Sequence, residues 1–342
     1  MENEQKLPDD VIVSETAEES QVKAKAKKTK RKWSNSKNQW KAWLYLLPAL
    51  IILAVFTVWP IINTVRMSLL KNYDDLRAIG GMTFEFGFAN FSSVVKYKGF
   101  LNCLGNTMIL CVITVPISTL LALVIAVALN SIKFVRKTMQ TIFFLPYVTN
   151  SIAIGMVFMA MFTMIGYAPG HEPMSVGIIN SIIEAFGGTR INWVNAGSSK
   201  FANMVVLIIY IVWNALPFKI LVLLGGLQSV NKQYYEAAKV DGTSRFRTFW
   251  RITVPLLSPM IAYVVITGFI GGFKEYSSIV GIFGDSMGPV GNAGSLNTMV
   301  GFIYDNLDNN QGRASAAALI LFAIIFVVTM INMYVSKKKV HY

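Results

Sequence analysis

Charged and amide side chains stand inside two long apolar stretches of this 342-residue chain. Polar groups are costly in hydrocarbon, so their presence there indicates a lined cavity or a contact between helices. The first stretch carries Trp213, Asn214 and Phe218, followed by Lys219. Amides can bond sugar hydroxyls while aromatic rings stack on the apolar faces of the sugar, so this set suits a sugar-binding surface.

The geometry of a helix decides which of these groups can act together. Asn214 and Phe218 share a helical face because they are four residues apart. Pro217 removes the amide that would bond the carbonyl of Trp213 and can kink the helix there. Alternatively, both aromatic rings pack against neighbouring helices and Lys219 extends toward the cytoplasm.

The second polar set follows two glycines on a predicted fifth helix and contains Lys274, Glu275 and Tyr276. Such polar groups inside an apolar run could line a pathway, and Lys274 could be the counter-ion of Glu275. Adjacent helical residues point about 100° apart, so that ion pair is not assured. Alternatively, the pair marks an interface and the glycines let another helix approach.

Enzyme chemistry has little support in the sequence. The chain has two cysteines and two histidines, too few for a disulfide framework or a typical zinc site. It contains no Gly-x-x-x-x-Gly-Lys-Ser/Thr segment and no nucleophile with a base in reach, so we predict no catalytic residue, no metal and no bound cofactor.

The elements that must position these groups are membrane helices. Hydrophobic residues make up 54% of the chain, charged residues 14%, and mean hydropathy is +0.50. Apolar runs of about 20 residues are long enough to cross a bilayer, and only helices satisfy the backbone there when no barrel pattern exists. The sequence therefore predicts an all-α integral membrane protein with six transmembrane helices at 43–65, 107–129, 141–165, 202–227, 254–283 and 316–335.

The distribution of positive charge predicts the orientation. Of the 31 Lys and Arg residues, 21 fall on the side that holds both termini and 8 on the other, which places both termini in the cytoplasm. Residues 1–42, acidic and then polybasic, form a predicted disordered cytoplasmic tail ahead of a transmembrane domain at 43–338. Anchoring to anionic lipid explains the basic stretch better than nucleic-acid binding does.

The predicted cytoplasmic loop at 228–253 has strong local signals. Gln233–Val240 favours a short helix, Gly242 can end it in a left-handed conformation, and Thr243 or Ser244 can cap a second helix. Three arginines interleaved with aromatic residues would hold the second helix at the headgroup level: Arg245, Arg247 and Arg251. By composition alone, the loop could be an amphipathic connector.

The order of residues in this loop resembles a known motif. Glu236-Ala237-Ala238 and Asp241-Gly242, followed by Ile252, Val254-Pro255 and Pro259, resemble the EAA loop of ABC importer permeases. In that family the loop is a coupling helix that enters a cleft on a cytoplasmic ATPase. The resemblance implies an ATPase-coupling role for six residues: Tyr235, Glu236, Ala237, Ala238, Asp241 and Gly242.

The resemblance covers residues 40–338 and points to the carbohydrate-uptake branch of the maltose and glycerol-phosphate type. Asn90-Phe91, Asn106-Thr107 and Leu227-Gln228 are further matching pieces. Glu275 and Tyr276 match the segment that contacts sugar in the family, so the resemblance implies that both contact the substrate, with Lys274 as a further contact or as the partner of Glu275. Thr243 departs from the usual Ala, and residues 284–295 form an unusual version of the loop after helix five, which leaves the outer gate undefined.

The resemblance implies a permease subunit of an ATP-driven ABC importer that moves a sugar, with an oligosaccharide favoured, into a bacterial cell by alternating access. Its implied partners are a second six-helix permease, two ATPases that bind ATP and Mg, an extracellular or periplasmic solute-binding protein, and lipid of the cell membrane. No nucleic acid is implied. The alternative is a stand-alone secondary transporter or channel, for which Lys219, Lys274 and Glu275 are the only charged candidates in the spans.

Overall fold

The computed structural model describes residues 39–339, apart from 133–137, 139–140, 143–144, 146, 167–170 and 172. The chain divides into two compact units, Met1–Ile62 and Asn63–Tyr342. Most of the predicted tail, residues 1–38, lies outside the described residues. The described part is predominantly helical, and it includes one small sheet in which β1 (Met164–Ile165) pairs antiparallel with β2 (Ser175–Val176).

The described part of the chain begins with an apolar helical stretch. It consists of α1 (Gln39–Leu53), a π-helical turn (Ala54–Val58) and α2 (Trp59–Ser68). A second π-helical turn lies later in the chain at Phe249–Thr253. Each π-helical turn ends two residues before a proline: the first before Pro60 and the second before Pro255. Proline lacks the amide that an α-helix uses at that position, so a local change of hydrogen-bond spacing before it is physically expected.

The remaining helices belong to the second unit. In chain order they are α3 (Asp75–Ile79), α4 (Ala89–Lys96), α5 (Phe100–Ser131), α6 (Ser151–Phe162), α7 (Ile178–Ala185), α8 (Lys200–Ser229), α9 (Gln233–Val240), α10 (Arg245–Thr248), α11 (Val254–Leu256), α12 (Ser258–Gly272), α13 (Ser277–Phe283), α14 (Met299–Leu307) and α15 (Gln311–Lys339). A 3₁₀ turn at Gly284–Ser286 follows α13.

Four described helices are long and apolar enough to cross a membrane: Trp43–Ser68, α5, α8 and Gln311–Lys338. A fifth is obtained if Arg245–Leu256 and Ser258–Gly272, which are bent by 70° at their junction, count as one span. The structure therefore supports a multi-helix membrane fold, but it does not confirm six spans among the described residues.

The predicted third span, 141–165, is wrong as a single helix. The side chain of Asn150 caps α6 by accepting a hydrogen bond from the amide of Ile152 at 2.8 Å. The helix ends at Phe162, and the chain then enters β1. An N-cap residue has extended backbone angles, so Asn150 interrupts any helix that precedes it.

The predicted fifth span, 254–283, is also interrupted. The helix α12 ends at Gly272 and α13 begins at Ser277, so Lys274, Glu275 and Tyr276 lie in a break between helices rather than on one. Two consecutive glycines weaken the end of α12 because glycine has low helix propensity. The Glu275 carboxylate accepts from the amide of Ser278 at 3.3 Å, and its carbonyl accepts from the hydroxyl of Thr298 at 2.9 Å. These two hydrogen bonds stabilise the non-helical segment between α12 and α13.

The core of the second unit forms where α5 packs against α8 and α12. Tyr210 of α8 is fully buried, and its hydroxyl donates to the carbonyl of Ser151 at the start of α6. Close backbone contact joins α6 to α13: a Cβ built on Gly155 would lie 2.7 Å from the Cα of Gly281. Only glycine permits helices to approach so closely.

Asn90 of the predicted Asn-Phe motif ties together the region around the end of α2. Its side-chain amide donates to the carbonyls of Ser68 at 2.9 Å and Leu70 at 2.7 Å, and its oxygen accepts from the amide of Asn72 at 3.1 Å. Gly312 at the start of α15 packs against it, because a Cβ there would lie 2.7 Å from the Asn90 amide nitrogen. Asn90 therefore has a structural role, because it fixes the backbone that follows α2.

Candidate functional site

A cavity of about 290 Å³ lies between α5, α8 and α12. It sits near the middle of α5 and α8, where a membrane-spanning helix normally carries apolar side chains. Its lining combines polar and apolar groups: Thr114, Val115, Ser118, Tyr147, Ile211, Asn214, Ala215, Phe218, Lys219, Thr267, Gly268, Gly271, Gly272 and Glu275. This composition, a few polar groups on an apolar wall, is typical of a small-molecule site.

Three of the residues that we predicted to contact substrate meet in this cavity: Asn214, Phe218 and Glu275. The first two share a face of α8, as their spacing predicted. The ring of Phe218 stacks on that of Tyr147, with centroids 5.9 Å apart and planes 19° apart. The helix runs on through Pro217 from Lys200 to Ser229. The cavity therefore offers an aromatic wall beside an amide and a carboxylate.

Lys219 lines the same cavity but does not extend toward water, since its residue is only 4% exposed. Its ammonium donates to the hydroxyls of Ser118 at 2.6 Å and Thr119 at 3.0 Å, and to the carbonyl of Val115 at 3.2 Å. All three acceptors belong to α5. The ammonium thus joins α8 to α5 through neutral groups, which satisfy the hydrogen-bonding capacity of a buried cation.

The other three predicted contacts lie elsewhere. Trp213 packs on Phe158 of α6 at 5.3 Å between ring centroids and belongs to a hydrophobic cluster. Tyr276 stacks on Tyr304 at 4.6 Å, and the side chain of Lys274 is exposed. None of these three is among the described residues that line the cavity.

The sequence reasoning missed the contribution of α5 to the site. Thr114 and Ser118, spaced four residues apart, line the cavity on one face of that helix, and Thr119 bonds Lys219. Three hydroxyl residues within six positions of an apolar run were a detectable signal. Tyr147 gave no such signal, because its stacking on Phe218 depends on tertiary packing.

The loop between α8 and α12 contains the two short helices that the sequence predicted, with a bend between them. After α9, Gly242 takes a left-handed conformation with φ +66°. The amide of Thr243 bonds the carbonyl of Ala238 at 2.9 Å and that of Gly242 bonds Lys239 at 3.1 Å, which is the Schellman pattern of helix termination. Ser244 then caps α10 by accepting from the amide of Arg247 at 3.4 Å. Local sequence alone therefore explains this bent segment, residues 233–248, which we call the elbow.

The two alanines of α9 do not share one surface. Ala237 is exposed, whereas Ala238 is only 5% exposed and faces the protein. Glu236 and Asp241 are exposed. Among the described residues, the ion pairs join Lys71 to Glu85 and Arg190 to Glu184, so neither acid of the loop has a described basic partner. The exposed surface of α9 and the residue after it therefore carries two acids, Glu236 and Asp241, and one base, Lys239.

The loop is connected to the helices of the cavity. A three-residue link at 230–232 joins α8 to α9. On the other side, the hydroxyl of Tyr235 donates to that of Thr253 at 3.3 Å, just before α11 and α12. A displacement of α9 would therefore act on α8 and α12, two of the three helices around the cavity.

These features define a membrane transport subunit: long apolar helices, a polar cavity at their middle and an exposed helical elbow linked to it. Residues 115–341 match the family of binding-protein-dependent transport system inner membrane components, and the chain belongs to that family. This confirms the family predicted from the elbow. The chain is a multi-pass membrane protein.

Similar proteins are named for sugars. The chain is 29% identical over 292 residues to the lactose transport system permease protein LacF of Rhizobium radiobacter, covering 85% of this chain and 91% of LacF. It is 29% identical over 301 residues to the arabinooligosaccharides transport system permease protein AraP of Bacillus subtilis, covering 86% and 88%. The fold resembles a chain of a bacterial ABC transporter involved in alginate import, with TM-score 0.70, 20% identity and coverage of 90% and 98%.

Proposed function

We propose that this chain is one permease subunit of an ATP-driven importer that carries a sugar, preferably an oligosaccharide, into the cytoplasm by alternating access. The central observation is that Asn214, Phe218 and Glu275 line one cavity on helices that lead into the elbow. Relatives named for lactose and arabinooligosaccharides support the sugar class. The family membership favours this function over a stand-alone transporter.

The chemistry of the cavity suits a sugar ring. Phe218 and Tyr147 present stacked aromatic faces, against which the C–H face of a pyranose can pack. Asn214 and Glu275 supply acceptors and donors for hydroxyl groups. At about 290 Å³, the cavity is at the lower end of the size of ligand sites, so it fits about one sugar unit. A longer chain would extend toward a second permease subunit that completes the site.

We further propose six membrane crossings with both termini in the cytoplasm. In this arrangement α6 and the residues before it form the third crossing, and the pair of α12 and α13 forms the fifth. In this proposal the break between α12 and α13 lies within the membrane, and Glu275 lines the cavity there. Irregular backbone is tolerated at that depth where it lines a cavity and its polar groups are bonded.

The coupling step follows from the elbow. The exposed acids Glu236 and Asp241 would bind basic groups of a cytoplasmic ATPase subunit, and Ala237 would allow close approach. Closure of two such ATPases around ATP and Mg would push α9, and α8 and α12 would transmit the movement to the cavity. This chain supplies no nucleotide-binding residues in this scheme.

A solute-binding protein would deliver the sugar at the opposite face. A second structure of the alginate transporter, in complex with a pentasaccharide-bound periplasmic protein, has a chain that resembles this one with TM-score 0.70 and 21% identity. The resemblance supports a partner of the same kind. A second six-helix permease would complete the transmembrane assembly.

The proposal is tested by reconstitution. The chain is co-expressed with candidate permease, ATPase and binding-protein partners from the same genome, and uptake of labelled di- to hexasaccharides into ATP-loaded proteoliposomes is measured. We expect uptake that requires internal ATP and the binding protein. Uptake that persists without ATP and follows an ion gradient would establish the stand-alone transporter instead.

A further inference from the structure

A second concave surface lies between α5, the π-helical turn Phe249–Thr253 and α12. It is a groove of about 280 Å³ that shares only Val115 with the central cavity. Its lining is almost wholly apolar: Val115, Pro116, Thr119, Leu120, Leu123, Trp250, Val254, Ile261, Val265 and Phe269. The hydroxyl of Thr119 is bonded to Val115 and to Lys219, and the indole N–H of Trp250 is the other polar side-chain group among the described lining residues.

The groove suits a single flexible hydrocarbon chain. An acyl chain is narrow enough to lie in it, and an almost wholly apolar wall favours hydrocarbon over water.

Three cations stand beside the groove. Arg245, Arg247 and Arg251 are all exposed, and the described ion pairs involve none of them. Trp250, which lines the groove, follows Arg247 by three residues, a spacing that places two residues side by side on a helix, and Arg251 is its neighbour in the chain. The backbone of both arginines is therefore close to the part of the groove that Trp250 lines.

Guanidinium groups bind phosphate oxygens through two parallel hydrogen bonds, and the rings around them are suited to the boundary between water and hydrocarbon. The Trp250 ring packs edge-on against Phe249 at 5.1 Å and Phe246 at 6.3 Å between centroids. A phosphate group and a hydrocarbon chain joined in one molecule match both halves of this surface.

We propose that this groove is a binding site for an anionic phospholipid, with one acyl chain against Leu120 and Trp250 and the headgroup on Arg247 and Arg251. The lipid links the second half of the elbow to α5. It therefore stabilises the segment that joins α9 to α12. Assignment to the cytoplasmic leaflet rests on the proposed orientation, whereas the binding chemistry does not.

The first test is native mass spectrometry of the assembled, delipidated transporter after addition of phosphatidylglycerol or phosphatidylcholine. We expect retention of phosphatidylglycerol to exceed that of phosphatidylcholine, with the double substitution Arg247→Gln and Arg251→Gln reducing it about tenfold. Leu120→Trp, which fills the groove, should reduce both lipids. Arg77→Gln, an exposed arginine on α3, is the matched control and should change neither. Equal retention in all variants would overturn the proposal.

The second test identifies the occupant directly. A benzophenone amino acid at position 120 is irradiated in native membranes, and the adduct is analysed. A phospholipid adduct supports the proposal. An adduct to a partner permease or to another segment of this chain overturns it. Both tests measure binding without transport, so a failure of sugar uptake would not affect their outcome.

Discussion

The ammonium of Lys219 on α8 lies 2.6 Å from the hydroxyl of Ser118 on α5, in the interior of the helix bundle. The third helix of the cavity meets the same group: a Cβ built on Gly268 of α12 would lie 3.2 Å from the Lys219 ammonium. Three helices therefore converge on one buried cation. Any movement that separates α5 from α8 must break its hydrogen bonds, which links the shape of the cavity to this contact.

This arrangement predicts an asymmetry between the lysine and its acceptors. Replacing both hydroxyl residues, Ser118→Ala with Thr119→Val, leaves a buried charge short of partners and should destabilise the protein by about 1.5–3 kcal/mol. Lys219→Met removes the charge and keeps the chain length, so it should cost less. Thermal unfolding in detergent measures both. In the variant that lacks both hydroxyl groups, the further substitution Lys219→Met should restore stability. If Lys219→Met alone destabilised the protein more than the double replacement of Ser118 and Thr119, the interpretation would be contradicted.

Glu275 has two separable roles, because its carboxylate lines the cavity and also accepts from the amide of Ser278. Glu275→Gln keeps an acceptor oxygen and similar size but removes the charge. Loss of a charged contact of about 1.5–3 kcal/mol should raise the KM for sugar uptake roughly tenfold to hundredfold without lowering stability. Glu275→Ala should impair uptake and also lower the unfolding temperature. An unchanged KM in both variants would remove Glu275 from the substrate site.

The elbow depends on the backbone at Gly242. No described atom lies within 4 Å of a Cβ built there, so a substitution meets strain but no clash. Gly242→Val forces a β-branched residue to φ above zero at a cost of about 1–3 kcal/mol and should uncouple ATP hydrolysis from uptake. Gly242→Asn is the control, because asparagine tolerates this conformation, and it should retain coupling. Glu236→Lys should uncouple without strain. Normal ATP-driven uptake in Gly242→Val and Glu236→Lys would refute the assigned role of the elbow.

The contact between Gly155 and Gly281 predicts a steric effect. Gly155→Ala places a methyl group 2.7 Å from the Cα of Gly281, so α6 and α13 must separate, at a cost of about 1–3 kcal/mol. Gly105→Ala is the matched control on α5, where no described atom lies within 4 Å, and the gain in helix propensity should make it neutral or slightly stabilising. Unfolding temperatures of the two variants, if equal, would show that the α6–α13 contact is loose.

Much of the elbow could be predicted from the sequence because its structure is local. The helix Gln233–Val240, the left-handed Gly242 and the cap at Ser244 each depend on residues within a few positions of one another. The apolar runs likewise predicted α5, α8 and α15, since burying about 20 residues in hydrocarbon requires a helix. The family could be recognised for the same reason, because its motif is a short ordered stretch.

The tertiary structure decided which segments that are distant in the chain contact one another. Asn214 and Glu275 share a cavity while Trp213 and Tyr276 do not, because packing sets the rotation of α8 and the path of the chain between α12 and α13. The burial of Lys219 required hydroxyl groups one hundred positions away in the chain. The sequence by itself determined the long apolar helices, the local fold of the elbow and which residues are polar. Only the tertiary structure determined where the predicted third and fifth spans are interrupted and which polar residues face one another, because packing between distant segments decides both.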